Sequence, residues 1–323
     1  MKRYLYQSVV IALVGIWSVT VHAGEHSKYA SDRVSFQQNG LARTSLPILT
    51  IKELPENRAT PQALLKALQV NSTGLQETKK DDLIEYTNNE DWALTISKDG
   101  TFVDFRKNSD SSRQSLSRAD WSDAQIFDHA MSLVETKLSP LLPLAADEKI
   151  VPLKTSRGVL FTTDRRTGVT QKKTVSYMAH LGRQKGDVYI LAGGSSVYLE
   201  FSPAGDLLRL TYDWPVYETP KTVAMLIGKE AFFQKKAAIV EKQARILGIT
   251  TSEKHHESLV CGYFDPGYER REANQKVQPV CLQEIKNTES KRGSVSIIPL
   301  AESPIPDKLF GVDGSGGGTG VCD

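Results

Sequence analysis

Apolar residues recur at every third or fourth position in two long stretches, which is the spacing of an amphipathic helix. The first stretch covers residues 121–138; Ser122 and Asp123 stand at its start and Pro140 beyond its end, as helix start and stop signals. Its apolar residues are Ile126, Phe127, Ala130, Met131, Val134 and Leu138. The second stretch, residues 222–247, is followed by Gly248, which suits a helix C-cap. Both stretches predict helices.

Alternating apolar and polar residues, or short apolar runs between turn residues, predict strands in the remaining chain. Residues 92–106 alternate on both sides of Asp99-Gly100 and predict a β-hairpin. Further strands are predicted at 159–163, 174–181, 188–191, 197–201, 207–212, 258–264 and 277–285. A helix followed by strands thus occurs twice. The simplest arrangement that buries one face of each element is an α+β fold, with a helix packed on an antiparallel sheet.

The N-terminus has the three parts of a signal peptide: a basic start, an apolar run at residues 8–20 and a small-residue site that ends at Ala23. The apolar run is shorter than the roughly 20 residues of a membrane-spanning helix. We expect cleavage between Ala23 and Gly24 and a mature protein in the periplasm or outside the cell. An uncleaved N-terminal anchor is the alternative. No later run approaches spanning length, so we expect no stable membrane span in the mature form.

The same patterns divide the chain into a signal peptide and four further parts. The tail is rich in Pro and then Gly, a composition that buries too little apolar area to offset its ordering entropy, so we expect it to be flexible. The parts are residues 1–23, the signal peptide; 24–117, an N-terminal α+β region with the hairpin; 118–220 and 221–298, two helix-plus-strands units; and 299–323, the tail.

Composition argues for an ordinary folded protein with no strong charge. Hydrophobic residues make up 40% and charged residues 24% of the sequence, and the formal net charge is +2. The basic residues are spread along the chain and form no block typical of a nucleic-acid or anionic-membrane interface. We therefore expect neither partner.

The chain has three cysteines, which in an oxidising compartment allow one disulfide and one remaining thiol. Cys261 and Cys281 lie in two strand-like runs around a segment of turn residues, which favours a bond between them. A bridge from either to Cys322 and three reduced thiols are the alternatives.

No cluster of reactive residues has the spacing of a known kind of site. His255-His256-Glu257 lacks the four-residue separation of a zinc helix and is expected in a solvated loop before a strand. Ser195 follows two glycines between predicted strands, so it lacks the strand-to-helix elbow of a catalytic serine. We predict no catalytic residue, no metal ligand and no cofactor. If a cleft exists, its candidate residues are His180, Asp213, Trp214 and Tyr217.

Residues 176–214 resemble the sheet of PepSY-like and FTP-like domains of exported bacterial proteins, and the predicted helix before them stands where those domains carry theirs. The runs that carry the resemblance are 177–183, 186–190, 193–195 and 197–207, closing on Trp214. The resemblance implies a small α+β domain with a helix on an antiparallel sheet, and two such units in this chain. It also implies a binding or inhibitory module, with no catalytic residues to carry over.

These observations favour an exported, non-enzymatic module that binds a protein or peptide through a sheet face or edge. Inhibition or regulation of a peptidase is one role that such a module could have. No HExxH motif follows in the chain, so it does not resemble the propeptide of a zinc peptidase in the same polypeptide. An exported hydrolase or maturation factor with a site assembled from distant residues is the alternative. A structural component of the cell envelope is a third interpretation.

Overall fold

A computed structural model of the chain describes residues 45–52, 60–88, 91–107, 120–164, 167–191, 193–219, 223–247, 255–271, 276–287 and 293–301. Of these residues, 53% lie in strands and 20% in helices. The predicted signal peptide, its cleavage site at Ala23 and Gly24, and residues 302–323 with Cys322 lie outside the described part of the chain.

Three α-helices lie in the described residues. Helix α1 (Pro61–Ala67) begins after Thr60, whose hydroxyl accepts a hydrogen bond from the backbone of the first turn. Helix α2 (Asp123–Leu133) continues into a π-helical turn (Val134–Leu138), and Ser122 forms the capping box that its sequence suggests. Helix α3 (Lys229–Leu247) starts seven residues later than predicted, because the chain before it forms a strand.

The strands are short in the N-terminal part of the chain and longest in its middle. In chain order they are β1 (Ser45–Pro47), β2 (Leu49–Ile51), β3 (Gln76–Lys80), β4 (Leu83–Asn88), β5 (Trp92–Ser97), β6 (Phe102–Lys107), β7 (Glu148–Thr163), β8 (Thr170–Lys185), β9 (Val188–Leu191), β10 (Ser196–Phe201), β11 (Leu207–Asp213), β12 (Tyr217–Glu218), β13 (Val223–Met225), β14 (His255–Phe264), β15 (Lys276–Asn287) and β16 (Gly293–Pro299).

The predicted α+β fold, two PepSY-like units with a helix packed on an antiparallel sheet, is wrong. Fourteen strands form one mixed sheet in the order β12-β2-β15-β14-β9-β8-β10-β11-β6-β5-β4-β3, with β16 beside β15 and β7 beside β8. Strands β9 and β14 pair in parallel and join the last strands of the chain to its middle ones. Pairing between strands far apart in sequence leaves no trace in local hydrophobic periodicity, so the periodicity predicts two local units where one sheet forms.

Two hydrophobic cores lie along this sheet. The first is formed by α1, α2 and the strands from β4 to β11 except β9, with buried residues such as Leu94, Phe105, Ile126, Leu199 and Trp214. The second is formed by α3 and the strands around β14 and β15, with buried residues such as Leu49, Ile190, Tyr217, Phe232 and Ile298. Strand β9 therefore follows β8 out of the first core and contributes to the second.

The apolar patch at residues 46–49 is part of the second core. Leu46 is 3% exposed and Leu49 is fully buried. Strand β1 pairs with β13, outside the large sheet, and β2 lies between β12 and β15 at one end of that sheet. Its partners lie more than 150 residues away, which a local pattern does not indicate.

A disulfide joins Cys261 of β14 to Cys281 of β15, as the sequence favours. The two residues are directly opposite each other in the antiparallel pair. Such a bond is compatible with an extracellular location. Among the helices of the described residues, none combines the length and the apolar character needed to cross a bilayer.

Loss of this disulfide is expected to destabilise the fold. The bond closes a loop with a sequence separation of 20, and closing a loop of that size in the unfolded chain is worth about 3 kcal/mol. The double variant Cys261→Ala/Cys281→Ala should lose about that much unfolding free energy in denaturant titrations. The control Cys322→Ala should match the wild type. Equal losses in both variants, or a Cys322 bridge in peptide mapping, would contradict the assignment.

Candidate functional site

A cluster of buried polar and charged side chains lies where the two cores meet, and we call it the junction network. Nearly all of its side chains are within a few per cent of full burial, so their charges depend on one another for compensation. Its members are Glu148, Arg183, Lys185, Ser195, Asp213, Tyr217, Asp265 and Arg271.

The carboxylate of Asp265 is the centre of this network. Asp265 follows β14 and is fully buried. One of its oxygens accepts a hydrogen bond from the Tyr217 hydroxyl at 2.5 Å and another from Arg271 at 3.1 Å. The other oxygen accepts from the backbone N–H of Gly267 at 3.0 Å. Burial and the Asp265 charge raise the pKa of Tyr217 well above its usual range, so its hydroxyl stays a donor.

Arg271 is shared between two buried carboxylates. Its Nη2 lies 2.9 Å from both oxygens of Asp213 and also contacts Asp265. Asp213 accepts a further bond from the backbone N–H of Tyr268 at 2.6 Å. Burial nevertheless raises the pKa of Asp213 from 3.8 to about 6; Arg271 opposes the shift and the neighbouring Asp265 adds to it. One guanidinium thus lies between two buried carboxylates and contacts both.

Arg183 fills the space between the two cores. Its guanidinium lies 4.9 Å from the ring centres of both Trp214, in the first core, and Tyr217, in the second. It donates to the Pro215 carbonyl at 2.7 Å and forms an ion pair with buried Glu148. Lys185 adds a second cation 3.3 Å from the same carboxylate in β7.

Two loops approach each other closely around Asp265, and glycine makes this possible. A Cβ at Gly194 would lie 2.0 Å from the Asp265 side chain, and one at Gly193 would lie 2.9 Å from the Pro266 carbonyl. Ser195 has a positive φ of 57° and places its hydroxyl 2.7 Å from that of Tyr217. The hydroxyl that the sequence excluded as a nucleophile therefore belongs to the buried network.

The structure brings together three of the four candidate cleft residues but buries them. Asp213, Trp214 and Tyr217 are 6%, 1% and 5% exposed, so a dissolved substrate has no direct access to them. His180 lies in β8 between Ala179 and Leu181, which are buried in the first core, so it projects from the opposite sheet face. The network can therefore hold the two cores in one geometry.

The His255-His256-Glu257 segment belongs to strand β14 and pairs with the end of β15. The expectation of a loop at this position is wrong, because β14 continues as a long ribbon with β15. Within the described ranges, no three His, Cys, Asp or Glu side chains are grouped so that they could hold a metal ion.

A second feature, an exposed ribbon, extends from the large sheet at strands β7 and β8. Strand β8 pairs with β10 only from residue 177 onward, whereas its pairing with β7 covers the full length of both strands. Residues 158–163 and 170–176 therefore form a two-stranded ribbon beyond the sheet, which we call the β7–β8 arm. At about 3.3 Å per residue, six residues give it a length of roughly 20 Å.

The base of the arm is fixed to helix α2. Arg157 donates to the Trp121 carbonyl at 2.7 Å and forms an ion pair with Asp123 at 2.9 Å. The Trp121 ring stacks on Tyr177 of β8 at 5.0 Å, with the two planes 3° apart. The arm thus projects from a rigid base.

Large apolar side chains on the arm face solvent. Leu160 is 52% exposed and Phe161 65%, and Val169, next to the start of β8, is 56% exposed. Lys173 lies opposite Leu160 and Lys172 opposite Phe161 across the ribbon, and both lysines are also exposed. Exposed apolar groups concentrated on one element are typical of an interaction site.

Sequence reasoning missed both the charged centre of the network and the arm. The available signal for Arg183 was a lone arginine after the apolar run of β8. The available signal for Asp265 was an Asp-Pro-Gly turn next to a strand that carries a disulfide cysteine. For the arm, the signal was a run of five uncharged residues, 159–163, in a strand that has no predicted helix packed on it.

Comparisons with known proteins give distant likenesses to solved structures. No protein-family model and no curated protein matches the chain. It is similar to a solved uncharacterized protein from Eubacterium rectale, with a TM-score of 0.49, 10% identity, and coverage of 81% of this chain and 85% of that one. It is also similar to the YpeB C-terminal domain of Bacillus megaterium, with a TM-score of 0.35, 13% identity, and coverage of 78% and 95%. YpeB belongs to a PepSY-containing family, but likenesses at these scores support no argument about function.

Replacing Gly194 with alanine should destabilise the junction. The added Cβ would lie 2.0 to 2.5 Å from the Asp265 carboxylate, which is held by several partners. We expect a loss of about 3 kcal/mol in unfolding free energy, measured by denaturant titration. Gly228→Ala is the control, because a Cβ at Gly228 would have no neighbour within 4 Å, and it should cost less than about 1 kcal/mol. Equal costs would contradict the close approach.

Stability should fall as the pH rises from 3 to 7, because of Asp213. Its folded-state pKa of about 6 lies above the ordinary value of 3.8, so the folded state binds more protons in this window and loses stability as they dissociate. At 1.36 kcal/mol per pKa unit, the loss is about 3 kcal/mol. The stability difference between wild type and Asp213→Asn should change by this amount across the window. Exposed Asp128→Asn is the control, and an unchanged difference for Asp213→Asn would contradict the assignment.

Proposed function

We propose that this chain is an exported, non-enzymatic binding module that captures an extended segment of a protein or peptide by strand addition to the outer edge of β7 in the arm. The proposal includes export through a signal peptide, a periplasmic or extracellular location and membership of the PepSY-like group. They rest on the N-terminal sequence and on the resemblance of residues 176–214.

The observation that carries the proposal is the unprotected edge of the arm. Among the described residues, β7 pairs with β8 only, so residues 159–163 have one side of their backbone without a strand partner. This segment has no charged residue and no proline. An exposed edge of that composition accepts another strand readily, because main-chain hydrogen bonds supply affinity whatever the partner's sequence.

Other edges of the same sheet are charged, short or in contact with a helix. Strand β3 is fully exposed but carries Glu77, Lys79 and Lys80 in five residues, and such charges discourage edge pairing. Strand β12 has two residues, and β16 contacts helix α3. The first part of β7 itself carries Lys149, Pro152 and Lys154. The arm differs from these edges in having two adjacent, largely exposed apolar residues, Leu160 and Phe161, on an unpaired strand.

Inhibition or regulation of a peptidase is one role that this edge supports. Peptidases bind substrates as extended strands, and the arm presents an extended strand on a base fixed by Arg157 and Trp121. The hydrolase alternative has less support, because Asp213 and Tyr217, two of its candidate residues, are buried in a network that compensates their polar groups.

Charges on the arm edge should abolish partner binding. In an affinity pull-down from exported extracts, the mature protein, residues 24–323, should recover a stoichiometric partner, and Leu160→Lys/Phe161→Lys should recover at least about tenfold less. Val295→Lys, at a residue of β16 with 58% exposure, is the matched control and should bind normally. Hydrogen exchange on the complex should show protection of the β7 amides at residues 159–163.

Equal recovery by the arm variant and the wild type would remove the arm from the binding site. Turnover of a hydrolase substrate by the mature protein, with no partner recovered, would favour the enzyme alternative instead.

A further inference from the structure

We infer that the strand captured by the arm is acidic, with adjacent apolar residues at its centre and carboxylates beside them. This inference rests on the proposed strand addition and specifies the class of peptide that the same edge accepts.

The two faces of the arm carry the same pair of side chains. Leu160 of β7 lies opposite Lys173 of β8, and Phe161 lies opposite Lys172. Neighbouring residues in a strand point to opposite faces. Each face therefore has one exposed apolar residue in the edge strand and one lysine in the strand behind it.

An added strand would meet these groups in order. Its residues opposite Leu160 and Phe161 would be adjacent in sequence and on opposite faces, so two consecutive apolar residues fit best. The lysines lie two strands away, or about 10 Å. A lysine and a glutamate extended toward each other span such a distance, above or below the intervening apolar side chain.

The lysines lack a counter-charge within the described part of the protein. Neither Lys172 nor Lys173 forms an ion pair or side-chain hydrogen bond with a described residue. Arg157, at the base of the arm, is already paired with Asp123. The arm thus offers two free cations to whatever strand it binds, which favours carboxylates and disfavours a basic segment.

An anionic membrane fits this surface less well. Side chains that enter a bilayer surface are grouped on one face of their element, whereas Leu160 and Phe161 point to opposite faces. Thr163 and Thr170, the last paired residues at the tip, are polar. A lipid surface also offers no hydrogen-bonding strand to the open edge of β7.

A second copy of this chain also fits less well. Pairing β7 with β7 of another copy would match the apolar residues, but it would bring two more lysines and no carboxylate from the same ribbon segment. The charges would then repel weakly across the joined sheet.

Two synthetic peptides test the inference. Both have a central Thr-Val-Phe-Thr and differ only in their flanking residues, glutamates in one and lysines in the other. Binding to the mature protein is measured by fluorescence anisotropy. The acidic peptide should bind about tenfold more tightly at low salt, and the ratio should shrink at high salt. Lys172→Glu/Lys173→Glu should reverse the preference, while Lys79→Glu/Lys80→Glu on the charged edge strand β3 should leave it unchanged.

The outcomes separate this inference from the proposed function. Equal binding of both peptides, abolished by Leu160→Lys/Phe161→Lys, would overturn the acidic preference and leave strand addition in place. Binding of neither peptide would count against both. Pelleting of the protein with anionic vesicles, or a dimer that dissociates in Leu160→Lys/Phe161→Lys, without peptide preference, would overturn the inference in favour of a lipid surface or a second copy.

Discussion

The buried carboxylate of Asp265 is the interaction on which the two halves of the structure depend. A charge removed from water at the boundary of two apolar cores must be compensated there, and Asp265 is compensated by Tyr217 from one segment and Arg271 from another. The same loop reaches the N-terminal strands, since the ring of Tyr268 stacks on Phe102 at 5.4 Å. Removing Arg271 would leave two buried carboxylates without their shared cation, so we expect this network to favour one relative position of the cores.

That rigidity explains how an exposed ribbon can serve as a binding element. A two-stranded ribbon by itself is marginally stable in water. Here its strands continue into the central sheet, where β8 is paired on both edges, and Arg157 and Trp121 fix its base to helix α2. A partner strand would therefore meet an edge that is already extended, and it would lose little free energy in ordering the arm.

The candidate site was only partly accessible to sequence reasoning. Asp213, Trp214 and Tyr217 lie within five residues of the chain, at and just after the end of β11, so their proximity follows from the sequence alone. Their buried environment could not be predicted from the sequence, because the groups that surround them come from distant loops. Arg271, for example, is 58 residues from Asp213. The exposure of Phe161 could not be predicted from the sequence either, because an apolar residue in a strand is buried or exposed according to which other elements cover it.

The sequence by itself determined local elements, such as the capped start of helix α2 and the strands from β8 to β11, and it favoured the pairing of Cys261 with Cys281. Each local element depends on residues close together in the chain, and the disulfide is one of the few pairings that three cysteines allow. Only the tertiary structure decided that these elements form one large mixed sheet, through the parallel pairing of β9 with β14, and that one edge stays open at the arm. Strand order and edge exposure depend on which distant segments meet, and hydrophobic periodicity carries no record of that choice.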